Sequence, residues 1–335
     1  MVVDANSGVV IDHNDAFQKW YPASLTKMMT AYVAFGALRS KAVDLTTVAT
    51  VSSVAAAQAP SKMYHKPGSK MTLDSALKIM LVKSANDMAV VVAETVGGNL
   101  DNFVAQMNAQ AKAIGMSQSH FINPNGLPGP GQYTTARDLA LLALALRRDF
   151  PEYAGYFSIE AVNTGKKTYP NSNMLIGRFD GADGMKTGYI CASGFNQVST
   201  ATRNGRTMIS VVLGADSLSD RTDQSANLLQ KGFTTRGTGV RLASMAPYGA
   251  TRDTLMDVSK QVCSADARKA RLNGRDSEGR LKLTSPYIHE LAHPPQAVFA
   301  GLLPGTEPVA ESKPVGAHSG SMAANVPIPT PRPTF

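Results

Sequence analysis

Three short runs hold residue types that could do nucleophilic chemistry together. In Ser24-Leu25-Thr26-Lys27 a hydroxyl and an amine stand three positions apart, which on a helix is the same face. A serine hydroxyl is a poor nucleophile until a base takes its proton, and a lysine with a lowered pKa can do that. The lowering needs burial or a second cation nearby. Ser24 also stands at the start of a predicted helix, where free backbone N–H groups and the macrodipole favour negative charge.

Ser84-Ala85-Asn86 supplies a second hydroxyl and an amide between two predicted helices. Lys186-Thr187-Gly188 opens a predicted edge strand after Gly184 and brings a cation, a hydroxyl and a glycine that lets substrate backbone approach. Each run alone carries little. Ser75 and Lys78 repeat the first spacing and read as helix surface; Ser225-Ala226-Asn227 repeats the second and reads as part of a helix. A lone Lys-Thr-Gly reads as a turn. The order of the three, each in the structural context its role needs, is the informative feature. This ordered triple marks penicillin-binding proteins and class A β-lactamases.

The flanking residues narrow the match. Tyr21-Pro22-Ala23-Ser24-Leu25-Thr26-Lys27-Met28-Met29-Thr30 resembles the nucleophile block of the low-molecular-mass penicillin-binding proteins, the D-alanyl-D-alanine carboxypeptidases. So do His120-Phe121 through Asn125-Gly126-Leu127, Tyr133 to Asp138, and Asp183 to Tyr189, and together the resemblance covers about residues 1–235. It implies that Ser24 attacks the carbonyl of a penultimate D-Ala and that Lys27 takes its proton. Ser84 would relay a proton to the leaving amine, Asn86 would bond the substrate amide and Lys27, and Lys186 would support the proton network. Thr187 would hold the terminal carboxylate, aided by Arg221, and Gly188 would line the substrate. The backbone N–H groups of Ser24 and Tyr189 would form the oxyanion hole. Stem peptides of peptidoglycan are the implied substrate and β-lactams the implied covalent inhibitors. No cofactor or metal is implied, since acyl transfer needs only protein groups and water.

Two positions depart from the family pattern: Ile190 stands where many relatives have threonine, and Asn125 where some have histidine. Both concern the acyl acceptor rather than the chemistry. A class A β-lactamase needs a glutamate-activated water. The glutamates between Asn86 and Lys186 are Glu94, Glu152 and Glu160, none of them in the 120–138 loop, which disfavours that activity. A D,D-endopeptidase on cross-linked peptidoglycan stays open, and a non-catalytic wall-binding protein is disfavoured by the intact Ser24, Lys27, Ser84, Asn86 and Lys186.

The elements that must position these residues are legible from periodicity. Val2-Val3 and Val9-Val10-Ile11 flank an Asn-Ser-Gly turn and read as a hairpin. Leu25, Met28, Met29, Tyr32 and Val33 follow the helical template after Ser24. Helices are predicted over 72–82 and 88–96, and again around Phe103 to Ile114 with Gly115 closing the last. The Asn/Pro/Gly-rich stretch 122–132 reads as a loop. Thr135 reads as the N-cap of a helix through Leu146. Phe195 to Thr202 and Thr207 to Leu213, joined by Asn204-Gly205, read as a hairpin on a type I′ turn, and 222–233 as a further helix. Helices in the middle with strands from both ends imply an α+β fold: an antiparallel sheet flanked by helices, β-lactamase/transpeptidase-like, with a poorly structured C-terminal extension.

The expected domains are a serine D,D-peptidase over 1–240, an extension of unknown fold over 241–293 and a Pro-rich tail over 294–335, disordered by composition. The 335 residues carry 33 lysines and arginines against 25 acids, a net charge of +8. The basic residues are scattered with no nucleic-acid motif, so a solvated basic surface is expected and no nucleic acid as partner. Cys191 and Cys263 form no metal or CxxC pattern, and two free thiols are expected. His289 and His293 are four apart but lack the surroundings of a zinc site. No apolar run spans a bilayer, and no signal peptide or amphipathic anchor helix is evident. Because the implied substrate is extracytoplasmic, a periplasmic or extracytoplasmic location is expected, for a chain whose first strand residues lie upstream of Met1.

Overall fold

The computed structural model describes residues 1–306 apart from Thr238 and Ser277. The chain opens with β1 (Val2–Asp4) and β2 (Val9–Asp12), the expected hairpin. A 3₁₀ turn over Ala23–Leu25 runs directly into α1 (Thr26–Arg39). A small sheet of β3 (Val48–Thr50) and β4 (Lys70–Thr72) encloses the one-turn α2 (Ser53–Ala56). Then come α3 (Leu73–Val82), α4 (Asn86–Gly97) and α5 (Leu100–Ala113). Gly115, at a φ of 83°, follows α5 in the left-handed conformation that closes a helix. The predicted 122–132 loop leads to α6 (Ala136–Asp149), whose N-cap Thr135 accepts a hydrogen bond from the Asp138 N–H.

The second half carries β5 (Ala161–Asn163) and β6 (Thr168–Pro170), then the long strands β7 (Ala182–Ile190), β8 (Gly194–Arg203) and β9 (Arg206–Ala215). Asn204 and Gly205, with φ of 49° and 76°, make the turn between the last two. The helix predicted over 222–233 is α7 (Leu218–Thr234); it starts earlier because Ser217 caps it by accepting from the Asp220 N–H. Arg221 therefore lies in its first turn.

The main sheet has the order β2-β1-β9-β8-β7, antiparallel throughout. Alternation along β9 explains why the sheet is covered on both sides. Ile209 and Val211 join the large core shared with the helices, while Met208 packs with Ala226 and Leu229 of α7. A strand buried on both faces reads as a nearly continuous apolar run, which Met208 to Leu213 is apart from the buried Ser210. On the helical side, α4 is buried from Asn86 to Ala93 and forms the middle of the core. The α+β architecture thus follows the expectation from sequence.

Residues beyond 241 hold little regular structure: α8 (Ser259–Cys263), α9 (Ala265–Asn273) and β10 (Ala297–Phe299). Two findings differ from expectation here. Cys191 and Cys263 are joined in a disulfide rather than free, because α8 folds back onto the end of β7. The stretch read as a Pro-rich disordered tail from 294 first adds β10 in parallel to β5, since Ala297 to Phe299 meet an otherwise open strand edge. The rest of that tail, 307–335, lies outside the described residues. Among the described residues no helix is long and apolar enough to cross a membrane.

Candidate active site

The nucleophile turn is held from two sides. Ala23 has a φ of 47°, which bends the chain at the start of α1 and leaves Ser24 half-buried at the surface of the cleft. Gly126, at a φ of 85°, brings the 122–132 loop so close that a Cβ there would run into the Ala23 carbonyl. On the other side a Cβ on Gly188 would lie 3.0 Å from the Pro22 oxygen and 3.1 Å from the Ser24 nitrogen. Glycine at 188 therefore lets β7 itself approach the nucleophile, a reason beyond the substrate approach read from sequence.

Lys27 sits in the first turn of α1, fully buried, and its Nζ reaches Ser24 Oγ at 2.8 Å. The same ammonium or amine meets Asn86 Oδ1 at 2.7 Å and the Asn125 carbonyl at 2.8 Å. Burial holds the Lys27 pKa well below the usual lysine value; the charge of Lys186 lowers it further, and Asp87 opposes both. An amine kept from charging retains a lone pair, which is what a base for Ser24 needs.

Ser84 ends the link between α3 and α4 at a φ of 66°. Its hydroxyl accepts from Lys186 Nζ at 2.8 Å, and Lys186 also donates to the Thr187 carbonyl at 2.9 Å. Burial, together with the Arg221 charge, brings Lys186 down to about 7. Lys186 lies inside β7 rather than at its opening, so the strand's hydrogen bonds to β8 fix its position. The Asn86 side chain is oriented by its Nδ2 donating to the Ala59 carbonyl at 2.9 Å, which leaves the second N–H for another acceptor.

Arg221 is buried, and its hydrogen bonds among the described residues go to main-chain carbonyls: Gly188 at 3.2 Å, Ser172 at 3.4 Å and Asn196 at 3.5 Å. Its Nε has no partner. A buried guanidinium without a carboxylate attracts an external anion. Thr187, next to it, spends its hydroxyl hydrogen on Ser172 Oγ at 3.0 Å. A cavity of about 370 Å³ opens above these groups, lined by Ser24, Ser84, Asn86, Thr187, Tyr189 and Arg221 among others. All nine residues singled out from sequence come together around it, with Lys27 and Lys186 buried beneath.

Sequence reasoning missed several supports. The Asn125 main-chain oxygen holds Lys27, although Asn125 drew notice only as a departure from pattern. Ser172 braces both Thr187 and Arg221 from a loop with no sequence signal beyond its Asn-Ser-Asn composition. The three glutamates weighed for a lactamase water are engaged elsewhere: Glu94 with Ser52, Glu152 with Arg39, and Glu160 with the Gln296 N–H. None lines the cavity. The second copies of the motifs are structural: Lys78 pairs with Asp74, and Ser75 donates its N–H to the Thr72 cap.

Comparison with known proteins agrees with this geometry. The family profile for D-alanyl-D-alanine carboxypeptidase matches residues 1–217. The chain belongs to that family. It is 37% identical over 240 residues to the D-alanyl-D-alanine carboxypeptidase DacC of Escherichia coli K12, covering 70% of this chain and 60% of the relative. The crystal structure of the D-alanyl-D-alanine carboxypeptidase DacD from Francisella tularensis superposes with a TM-score of 0.67 at 33% identity, covering 70% and 69% of the two chains. Penicillin-Binding Protein D2 from Listeria monocytogenes in its ampicillin-bound form gives 0.62 at 29% identity, covering 70% and 95%. The chain spans about 60% of the length of the curated relatives it matches.

Proposed function

We propose that this chain is a serine D-alanyl-D-alanine carboxypeptidase that removes the terminal D-Ala from peptidoglycan stem pentapeptides through an acyl-enzyme on Ser24. The observation that carries the reading is the 2.8 Å contact between Ser24 Oγ and a fully buried Lys27 whose pKa is lowered by burial and by Lys186.

In this reading neutral Lys27 takes the Ser24 proton as Oγ bonds to the carbonyl carbon of the penultimate D-Ala. The N–H groups of Ser24 and Tyr189 hold the developing oxyanion. When the C–N bond breaks, the amine of the leaving D-Ala receives a proton through Ser84, whose hydroxyl is refilled from Lys186. The proton that Lys27 took refills Lys186, which leaves Lys27 neutral again. Water then attacks the ester and gives a proton to Lys27, which passes it to Ser24 Oγ as the ester C–O bond breaks. Arg221 holds the substrate's terminal carboxylate, a pairing supported by the absence of any carboxylate on Arg221 among the described residues. Thr187 joins it by turning its hydroxyl hydrogen from Ser172 Oγ to the substrate. Asn86 bonds the substrate amide through its remaining N–H. Residues 1–240 are the catalytic domain in this reading, and 241–293 an extension packed on it.

A β-lactam offers the same carbonyl and carboxylate, and ampicillin is bound in the D2 relative, so β-lactams are proposed as covalent inhibitors here. An extracytoplasmic location is supported by the Cys191–Cys263 disulfide, a bond that persists in oxidising compartments.

The test is intact-mass spectrometry after incubation with a penicillin, on wild type and Ser24→Ala. A stable adduct mapped to Ser24 and absent from the folded variant is expected, along with release of D-Ala from a stem pentapeptide. A folded wild type that neither acylates nor releases D-Ala overturns the reading. Release only from cross-linked dimers would move it to an endopeptidase.

A further inference from the structure

Two stretches of the extension, Val258 to Cys263 and Thr284 to Ser285, pack on the two elements that form one wall of the cavity, the end of β7 and the start of α7. The Val258 N–H donates to the Ala192 carbonyl at 3.1 Å in the β7–β8 turn. Val262 of α8 is fully buried against Phe195, Val212 and Ala215. Farther on, the N–H groups of Thr284 and Ser285 donate to the Asp223 carboxylate of α7 at 2.9 and 3.1 Å. One covalent link reinforces these contacts. Cys191 follows the last residue of β7 and is bonded to Cys263 at the end of α8.

That link stands against Tyr189, the residue after the glycine that packs on the nucleophile turn. The Tyr189 hydroxyl lies 3.2 Å from Cys263 Sγ, and its ring stacks on Phe195 with centroids 4.2 Å apart. From the far side the Arg271 guanidinium of α9 lies 5.6 Å from the Phe195 ring centroid. Tyr189, Phe195 and Arg221 all line the cavity. The wall is thus a stack of disulfide, Tyr189 and Phe195, with the extension supplying its outer layers.

We propose that the Cys191–Cys263 bridge is a redox-responsive positioning element that fixes the Tyr189 wall of the active site, so that reducing it slows acylation of Ser24 without unfolding the protein. The inference rests on the acyl-enzyme reading above. Cys191 and Cys263 are both partly exposed, so an external dithiol can reach the bridge. The dithiol supplies two electrons and two protons, the S–S bond opens to two thiols, and the dithiol closes to its own disulfide. Released from α8, the segment after Ile190 is held to the extension only by weaker contacts, and the Tyr189 N–H loses its fixed aim at the oxyanion. A misplacement near 1 Å is enough to slow an enzyme on the order of a hundredfold, so a partial loosening here is expected to slow acylation by about tenfold.

The experiment measures the second-order rate of penicillin acylation at Ser24 before and after treatment with dithiothreitol, counting freed thiols by mass and following the fold by circular dichroism. The expected result is two new thiols, an unchanged spectrum, a rate lower by about tenfold, and recovery on reoxidation. The pH at half-maximal rate should stay put, because the contacts that hold Lys27 and Lys186, to Asn86, the Asn125 carbonyl and Ser84, do not involve the bridge. The double variant Cys191→Ser/Cys263→Ser should show the slow rate and ignore the dithiol. An unchanged rate in both, a lost spectrum on reduction, or a shifted pH profile each overturns the proposal. Failure of the oxidised wild type to acylate at all instead overturns the reading of Ser24, so the two failures are distinguishable.

Discussion

Lys186 Nζ lies 2.8 Å from Ser84 Oγ although 102 positions separate them in the chain. The contact joins the end of the helical half to a strand of the sheet, and it puts a second buried amine beside Lys27. The Lys186 charge lowers the pKa of Lys27, so the proposed base responds to the charge of the proposed relay. This coupling can be tested from either end.

Replacing Lys186 with glutamine removes a cation that lowers the Lys27 pKa. Lys27 then stays protonated to higher pH, and the acid limb of the acylation profile should move to higher pH. Loss of the relay to Ser84 should lower the plateau by about 10²–10⁴-fold as well. Stopped-flow acylation across the pH range reads both; an unmoved acid limb would show that the two amines are not coupled.

The same burial predicts how stability depends on pH. Burial lowers the folded-state pKa of Lys186 to about 7, from the usual lysine value of 10.5. Between those values the unfolded chain binds the extra proton, so stability is lowest below about pH 7 and rises as pH climbs toward 10.5. The slope from this group alone is up to about 1.4 kcal/mol per pH unit. Urea denaturation from pH 7 to 10 should give a steeper rise for wild type than for Lys186→Met.

Lys27→Arg keeps the positive charge and removes the base, since a guanidinium does not deprotonate in this range. Acylation should fall by at least about 10³-fold while the fold persists. Burst kinetics with a penicillin, alongside circular dichroism, checks this; substantial acylation by the variant would show that another group takes the Ser24 proton.

Arg221 is expected to act through KM. Charge-assisted hydrogen bonds contribute about 1.5–3 kcal/mol, so Arg221→Gln should weaken a D-Ala-D-Ala substrate by roughly 10- to 100-fold. Amidating the substrate's terminal carboxylate should impose a similar loss on wild type and little further loss on the variant. Additive losses would mean that the carboxylate binds elsewhere.

Gly126→Ala combines a disfavoured positive φ with a collision against the Ala23 carbonyl. It should destabilise the protein by more than about 1 kcal/mol and slow acylation, because the neighbouring Asn125 carbonyl holds Lys27. Thermal melting paired with acylation rates checks the two effects, and a fully active variant of wild-type stability would contradict them.

The candidate catalytic residues were legible because their types are rare in combination and their order is fixed: Ser24 with Lys27, Ser84 with Asn86, and Lys186 through Gly188. The sheet was legible where strands alternate or carry β-branched runs, and the Asn204-Gly205 turn announced itself. What stayed hidden depends on contacts between distant segments. Nothing local to Cys191 says that α8 will fold back onto it, and the pairing of β10 with β5 depends on an open strand edge that only the folded body provides. Ser172 and the Asn125 carbonyl support the site through main-chain and hydroxyl groups that any sequence could supply. The start of α7 was placed late because its apolar periodicity begins after its Ser217 cap.

The inner position of β1, between β2 and β9, bears on when the candidate site is complete. Val2 to Asp4 pair with Met208 to Ser210, so the sheet cannot close until the chain beyond residue 206 is available. Ser24, Lys27, Ser84 and Asn86 are all made early, yet the strand carrying Lys186 finds its place only through β8 and β9. Such non-local pairing makes folding slow, and it means that an unfinished chain holds a nucleophile and its base without the wall that would let them act.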